Sequence, residues 1–146
     1  MSAAGSEGEQ WMRQAIRLAQ RARAAGDTAV GALVTRQGRV VAEGIEAVRS
    51  TMDPAAHAEL LALREACRAL RSFELSDCIL VTTAEPCWMC SFAARQVRIG
   101  RILIGRATPH IGGISSNYPI LSARIANWGP PPEIVSGVLA AECAAL

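Results

Sequence analysis

The sequence predicts a three-layer α/β/α sandwich around a mixed five-stranded sheet, and three observations carry that expectation. Apolar residues recur at three- and four-residue steps in three segments, Gln10 to Ala25, Ala56 to Leu70 and Cys87 to Val97, which marks three helices. Short β-rich runs lie between and after them, at Ala29 to Thr35, Arg39 to Gly44, Cys78 to Thr82 and Ile102 to Ile104. The last two runs flank the third helix, so they form a βαβ unit whose strands are parallel.

Each element follows from its residues. The first helix places Trp11, Ala15, Leu18 and Ala22 on one face and Arg13, Arg17 and Arg21 on another. Glu9 stands four residues before Arg13, so the arginine stripe reads as a solvated face rather than a phosphate contact. Gly26-Asp27 ends this helix, and Gln37-Gly38 turns the first two strands into a hairpin. Asp53-Pro54 breaks the chain before the second helix. There Leu60, Leu63, Cys67 and Leu70 are expected to face inward, and Arg64, Arg68 and Arg71 outward. Beyond Gly105 the pattern weakens. Residues 108–128 are rich in Gly, Pro and Ser, with Ile120 to Ile125 as a helical turn, and Gly129-Pro130-Pro131-Pro132 is a stiff connector. Ile134-Val135 supplies the fifth strand and Val138 to Leu146 a terminal helix. No repeat or composition break divides the chain, so residues 9–146 read as one domain after a flexible lead-in, residues 1–8.

A chain of 146 residues can bury a core without disulfide staples, and 51% hydrophobic against 19% charged residues excludes wholesale disorder. No apolar run approaches the ~18 residues of a membrane-spanning helix. Met1 to Glu9 has neither the cationic start nor the apolar core of a secretory leader, so a cytoplasmic location and no membrane partner are expected. All 15 basic residues are arginine and the net charge is +2, a weaker excess than nucleic-acid binders usually show. The five cysteines are odd in number and unevenly spaced, which argues for metal or thiol chemistry.

Two short stretches concentrate metal-ligating side chains: His57-Ala58-Glu59 opens the second helix and Pro86-Cys87-Trp88-Met89-Cys90 opens the third. Imidazole and thiolate are zinc ligands. Cysteines three apart in a first helical turn project from one face, where the positive end of the helix dipole favours the thiolate. If the two helix ends lie side by side, His57 supplies a third ligand. Three protein ligands leave a position for water, whose pKa zinc lowers toward neutrality. Glu59 is then the natural proton carrier. Residues two apart on a helix point about 200° from one another, so His57 and Glu59 can converge only beyond the helix end.

The remaining candidates read more plainly. His110 as a fourth ligand would close the site, but it reads as a surface or pocket histidine. Cys67, Cys78 and Cys143 read as small core residues. Aromatic residues make up only 4% of the chain, and Tyr118 and Trp128 are candidates either to stack on a planar substrate or to pack the C-terminal segment. Trp88 reads as a packing or pocket-wall residue and Glu142 as structural or solvated. A thiol–disulfide oxidoreductase would explain Cys87-Trp88-Met89-Cys90 but leave His57-Ala58-Glu59 without a role. A structural zinc module would need a fourth ligand from Cys67, Cys78, His110 or Cys143, none of which is closely paired.

His-x-Glu followed downstream by Pro-Cys-x-x-Cys is the signature of zinc nucleobase deaminases. With the flanks Asp53-Pro54-Ala55-Ala56 and Thr83-Ala84-Glu85, the sequence resembles the branch of the cytidine/nucleobase deaminase superfamily that holds guanine deaminases and tRNA adenosine deaminases. The likeness runs from Val30-Gly31-Ala32 through Gly137-Val138-Leu139. It implies a cytidine-deaminase-like fold and one Zn2+ on His57, Cys87 and Cys90. It also implies Glu59 as the proton shuttle, a substrate contact from the Ala58 backbone amide, and a homodimer. One position departs: where that family has a substrate-binding Asn, this chain has Glu46. Ionised Glu only accepts hydrogen bonds, so Glu46 either selects a donor-rich ring or points to solvent. The expected substrate is therefore a small aminoheterocycle (guanine-, triazine- or pterin-like, or cytosine-like) that loses its amine as ammonia. The chain shows no basic tail, and residues 108–132 diverge from the editing enzymes, so no nucleic-acid partner is expected. Editing of an adenosine in tRNA is the alternative.

Overall fold

The computed structural model describes residues 6–146. Its elements are α1 (Ser6–Ala24), β1 (Gly31–Arg36), β2 (Arg39–Ile45), α2 (Val48–Thr51), α3 (Ala58–Leu70), β3 (Cys78–Ala84), α4 (Trp88–Gln96), β4 (Arg101–Arg106), β5 (Glu133–Val135) and α5 (Ala140–Ala144). The strands form one sheet in the order β2-β1-β3-β4-β5. β1 runs antiparallel to β2 and β3, whereas β3 and β4, and β4 and β5, are parallel. The mixed sheet and the parallel βαβ pair are as the sequence predicts.

Side chains of successive strand residues alternate between faces, and here both faces are covered. Leu33, Val81 and Leu103 pack with Met12, Ala15 and Leu18 of α1 and with Cys143 of α5. Ala32, Val34, Leu80, Ile102 and Ile104 pack on the other side with Ala58, Ala62, Leu63 and Ala66 of α3 and Ala94 of α4. Those are the three layers. Gln37 and Gly38 both have positive φ, which gives the hairpin a two-residue turn matching the strands' twist.

Four details differ from expectation. α1 begins at Ser6, so the lead-in is shorter than residues 1–8; residues 1–5 lie outside the described residues. The helix α2 has no local signal, because Asp27 Oδ1 accepts from the amides of Arg49 at 2.8 Å and Ser50 at 3.0 Å. In α3 the fully buried residues are Ala58, Glu59, Ala62, Leu63 and Ala66, whereas Leu60 is half-buried and Cys67 and Leu70, also half-buried, pack against the edge of the core. The alanine stripe wins because Gly44 of β2 lets the helix backbone close in; a Cβ there would overlap the Ala58 carbonyl. α5 covers only Ala140–Ala144, after Leu139 in a left-handed conformation, and the Ile120 region is one hydrogen-bonded turn, Ala123 N–H to Pro119 O at 3.0 Å. Among the described residues no helix is long and apolar enough to cross a membrane.

Candidate metal centre and active site

The N-termini of α3 and α4 bring the two motifs together. His57 and Cys87 are the residues immediately before each helix, both in extended backbone (φ −73°, ψ 144° and φ −67°, ψ 177°), and Cys90 lies in the first turn of α4. His57 Nδ1 is 3.4 Å from Cys87 Sγ and 3.6 Å from Cys90 Sγ, and the three ligand atoms lie within 4.8 Å of one another. A tetrahedral zinc ion with its usual bond lengths sets nitrogen and sulfur ligands about 3.5 Å apart. The donor set therefore fits zinc. The extended backbone at His57 also removes the helical constraint: His57 is not on the helix, so the 200° separation from Glu59 does not apply.

The charges are prepared for a cation. Against the opposing effect of burial, the Cys90 side chain foremost, then the Cys90 amide, His57 and the Met89 amide pull Cys87 down to about 5. Cys87 foremost, with burial, pushes Cys90 up, so a metal would displace its proton. Burial foremost pushes the Glu59 carboxyl up to about 8, with the negative charges of Glu46 and Cys87 adding to it.

Glu46 does not point to solvent. It is buried directly after β2, and its Oε1 accepts the Ala58 amide at 2.9 Å. Burial foremost raises its pKa, partly offset by that amide and by His57. The amide of Ala58, the expected substrate contact, therefore meets the Glu46 carboxyl in this structure. Of the two aromatic candidates, Tyr118 is exposed and meets Trp88 edge to face at 5.5 Å, beside the first turn of α4. Trp128 instead packs on the second turn, 5.3 Å from the Phe92 ring and under the Arg95 guanidinium. His110 is exposed and outside the ligand cluster, and Glu142 is exposed on α5. Cys78 and Cys143 are buried, while Cys67 is only half-buried.

Two buried charges were missed. Arg95 donates to the carbonyls of Ile120 and Ala123 at 2.8 Å and of Gly129 at 3.3 Å, and Glu85 accepts bonds from Thr108, Ile114 and Ser115. Together they satisfy backbone groups of a segment that has no strand or helix to pair them. The one available signal was Arg95's place on the face of α4 that carries Ser91 and Ala94.

Residues 6–106 match the family described as the cytidine and deoxycytidylate deaminase zinc-binding region. A tRNA-specific adenosine deaminase of Aquifex aeolicus is 38% identical over 113 residues, 77% of this chain and 75% of that one. A tRNA(Ile)-lysidine synthase of Deinococcus radiodurans is 42% identical over 136 residues, 92% of this chain; the chain spans only 23% of that protein's length. A guanine deaminase of Bacillus subtilis is 48% identical over 60 residues, 41% of this chain and 38% of its own. A structure solved in studies of A-to-I editing by tRNA:A34 deaminases superposes with a TM-score of 0.86 at 32% identity, covering 93% of this chain and 97% of that one.

These likenesses overturn the expectation that nucleic acid is excluded as a partner, since the relatives matched over most of the chain include enzymes named for tRNA. A basic tail was a poor criterion, because phosphate contacts can come from arginines spread over a folded surface. The matched span holds both helix ends that meet at the cluster and four of the five strands. The chain thus belongs to the zinc-binding cytidine and deoxycytidylate deaminase family and is a zinc-dependent deaminase.

Proposed function

We propose that the chain removes the exocyclic amine of an adenosine carried in tRNA, by hydrolysis that leaves inosine and ammonia. The observation that carries the reaction class is the convergence of His57, Cys87 and Cys90 with the buried acid Glu59 beside them. An RNA adenosine is supported by the degree of likeness over a shared span: a tRNA deaminase structure superposes at a TM-score of 0.86 and 32% identity, a guanine deaminase structure over the same 93% of this chain at 0.76 and 28%.

His57, Cys87 and Cys90 would hold the ion. Zinc held there would supply a water acidic enough to attack near neutral pH. Glu59 is the group placed to accept a proton from the attacking water and return it to the ring nitrogen beside the amine-bearing carbon. The second proton passes through the same carboxyl to the departing amine, which leaves as ammonia. A carboxyl that burial has raised toward neutrality can both accept and return protons at working pH. Tyr118, exposed beside Trp88, offers a ring for a base to stack on.

Glu46 favours a second reading. A carboxylate accepts hydrogen bonds only, which suits the ring N–H and amino groups of a guanine-, triazine- or pterin-like base. Ammonia release and inosine formation on an anticodon stem-loop with adenosine at the wobble position, run beside guanine, cytosine and aminotriazines, tests both. Turnover of the stem-loop with the free bases inert supports the proposal. Turnover of a free base with the RNA inert replaces it with the second reading.

A further inference from the structure

Glu85 is the last residue of the chain before Pro86-Cys87, it is buried, and its carboxylate has every acceptor position in use. Oε1 accepts from the Thr108 amide at 3.1 Å and the Ser115 hydroxyl at 2.6 Å. Oε2 accepts from the amides of Ile114 and Ser115, both at 2.8 Å. An ionised carboxyl has about four such positions, so none remains for a substrate, a metal or a proton in transit.

All four donors belong to one irregular stretch, and the Glu85 carbonyl takes a fifth bond from the Thr108 hydroxyl at 3.0 Å. A Cβ at Gly112 would overlap the carboxyl, so the stretch lies directly on it. From that anchor the same residues run alongside the metal site. Gly112 pairs with Cys87 in an isolated antiparallel bridge, and the Gly113 amide donates to Pro86 O at 2.9 Å. Trp88 Nε1 donates to Ser116 Oγ at 3.0 Å, and Tyr118 rests edge-on against Trp88.

We propose that Glu85 is a positioning residue whose carboxylate latches residues 108–118 against Cys87 and Trp88, making them a fixed wall of the metal site. The wall shields the metal ligands from solvent and sets how well substrate is held. Charge-assisted bonds of this kind are about twice as strong as neutral ones, and four converging on one group order a segment that has no ladder of its own. The latch rests on the reading of His57, Cys87 and Cys90 as the metal site; only its effect on substrate rests on the RNA proposal.

The test uses the zinc-loaded full chain, wild type against E85Q and Ser115→Ala. Gln places an amide nitrogen against donors and loses half of the bonds, whereas Ser115→Ala removes the hydroxyl bond alone and serves where E85Q does not fold. Amide exchange over residues 108–118 and the rate at which a chelator extracts zinc are expected to rise about tenfold or more in E85Q. Both should rise less in Ser115→Ala, with one zinc per chain at the start in every case. On the wobble-adenosine stem-loop, KM should rise with kcat held within about twofold. A folded variant whose 108–118 exchange and zinc extraction stay at wild-type rates overturns the latch, as does a fall in Tm with faster exchange everywhere and unchanged extraction. If wild type leaves the stem-loop untouched, the substrate proposal fails, while exchange and extraction still decide the latch.

Discussion

The N-termini of α3 and α4 meet at one point and are built differently. Each helix is preceded by a ligand residue, His57 or Cys87, and neither has a side-chain cap hydrogen bond from that residue. A helix start presents unpaired amides and partial positive charge, so each end needs an anion. At α4 the anion is sulfur: the Cys90 side chain foremost, with the amides of Cys90 and Met89 and the charge of His57, lowers the pKa of Cys87. At α3 it is a carboxylate brought from another element, Glu46, on the Ala58 amide, with the acid Glu59 next in sequence. One end is made to hold a metal and the other to handle protons, with His57 as the link. Mutations should therefore separate the two tasks.

The largest effect is expected at α4. Cys87→Ala or Cys90→Ala removes a ligand, and zinc should fall from one per chain to background after dialysis, with activity lost alongside it. A zinc-free, active variant would break the comparison outright. At α3, Glu59→Gln should keep one zinc per chain while kcat drops about 10²- to 10⁴-fold; loss of zinc in that variant would make the α3 end part of the metal site. Glu46→Ala leaves the buried Ala58 amide without its partner and should cost about 1–3 kcal/mol in denaturant unfolding. Glu46→Gln keeps an acceptor, so its stability should change by less than about 1 kcal/mol while the ranking of stem-loop against guanine moves. Equal stability for the two Glu46 variants would show that the α3 amide does not need the side chain. The smallest effect belongs beyond the helix ends. Trp128→Leu loses its contacts with Phe92 and Arg95, about 0.5–1.5 kcal/mol, and should leave KM unchanged.

Much of this site was legible early. Cys87 and Cys90 sit three apart at a helix start, and His57-Ala58-Glu59 is a compact cluster, so each half is recognisable within one turn. The setting of Glu46 was not, because a Glu at a strand end looks solvated until a helix start from another element is laid against it. Arg95 and Glu85 were hidden for a similar reason. A charged residue beside a metal motif reads as surface unless the segment that folds over it is known.

By itself the sequence determined the five-stranded mixed sheet, its flanking helices and the identity of the three candidate ligands. Periods of 2 and 3.6 and spacings within one turn are local properties that the order of residues already contains. Only the tertiary structure decided that His57 stands off its helix within reach of residues 30 and 33 positions away. It also decided that Glu46 closes on the amide of Ala58, 12 positions on, and that Glu85 holds a wall up to 30 positions downstream. Those contacts depend on how elements pack against one another, and packing leaves no periodic mark along the chain.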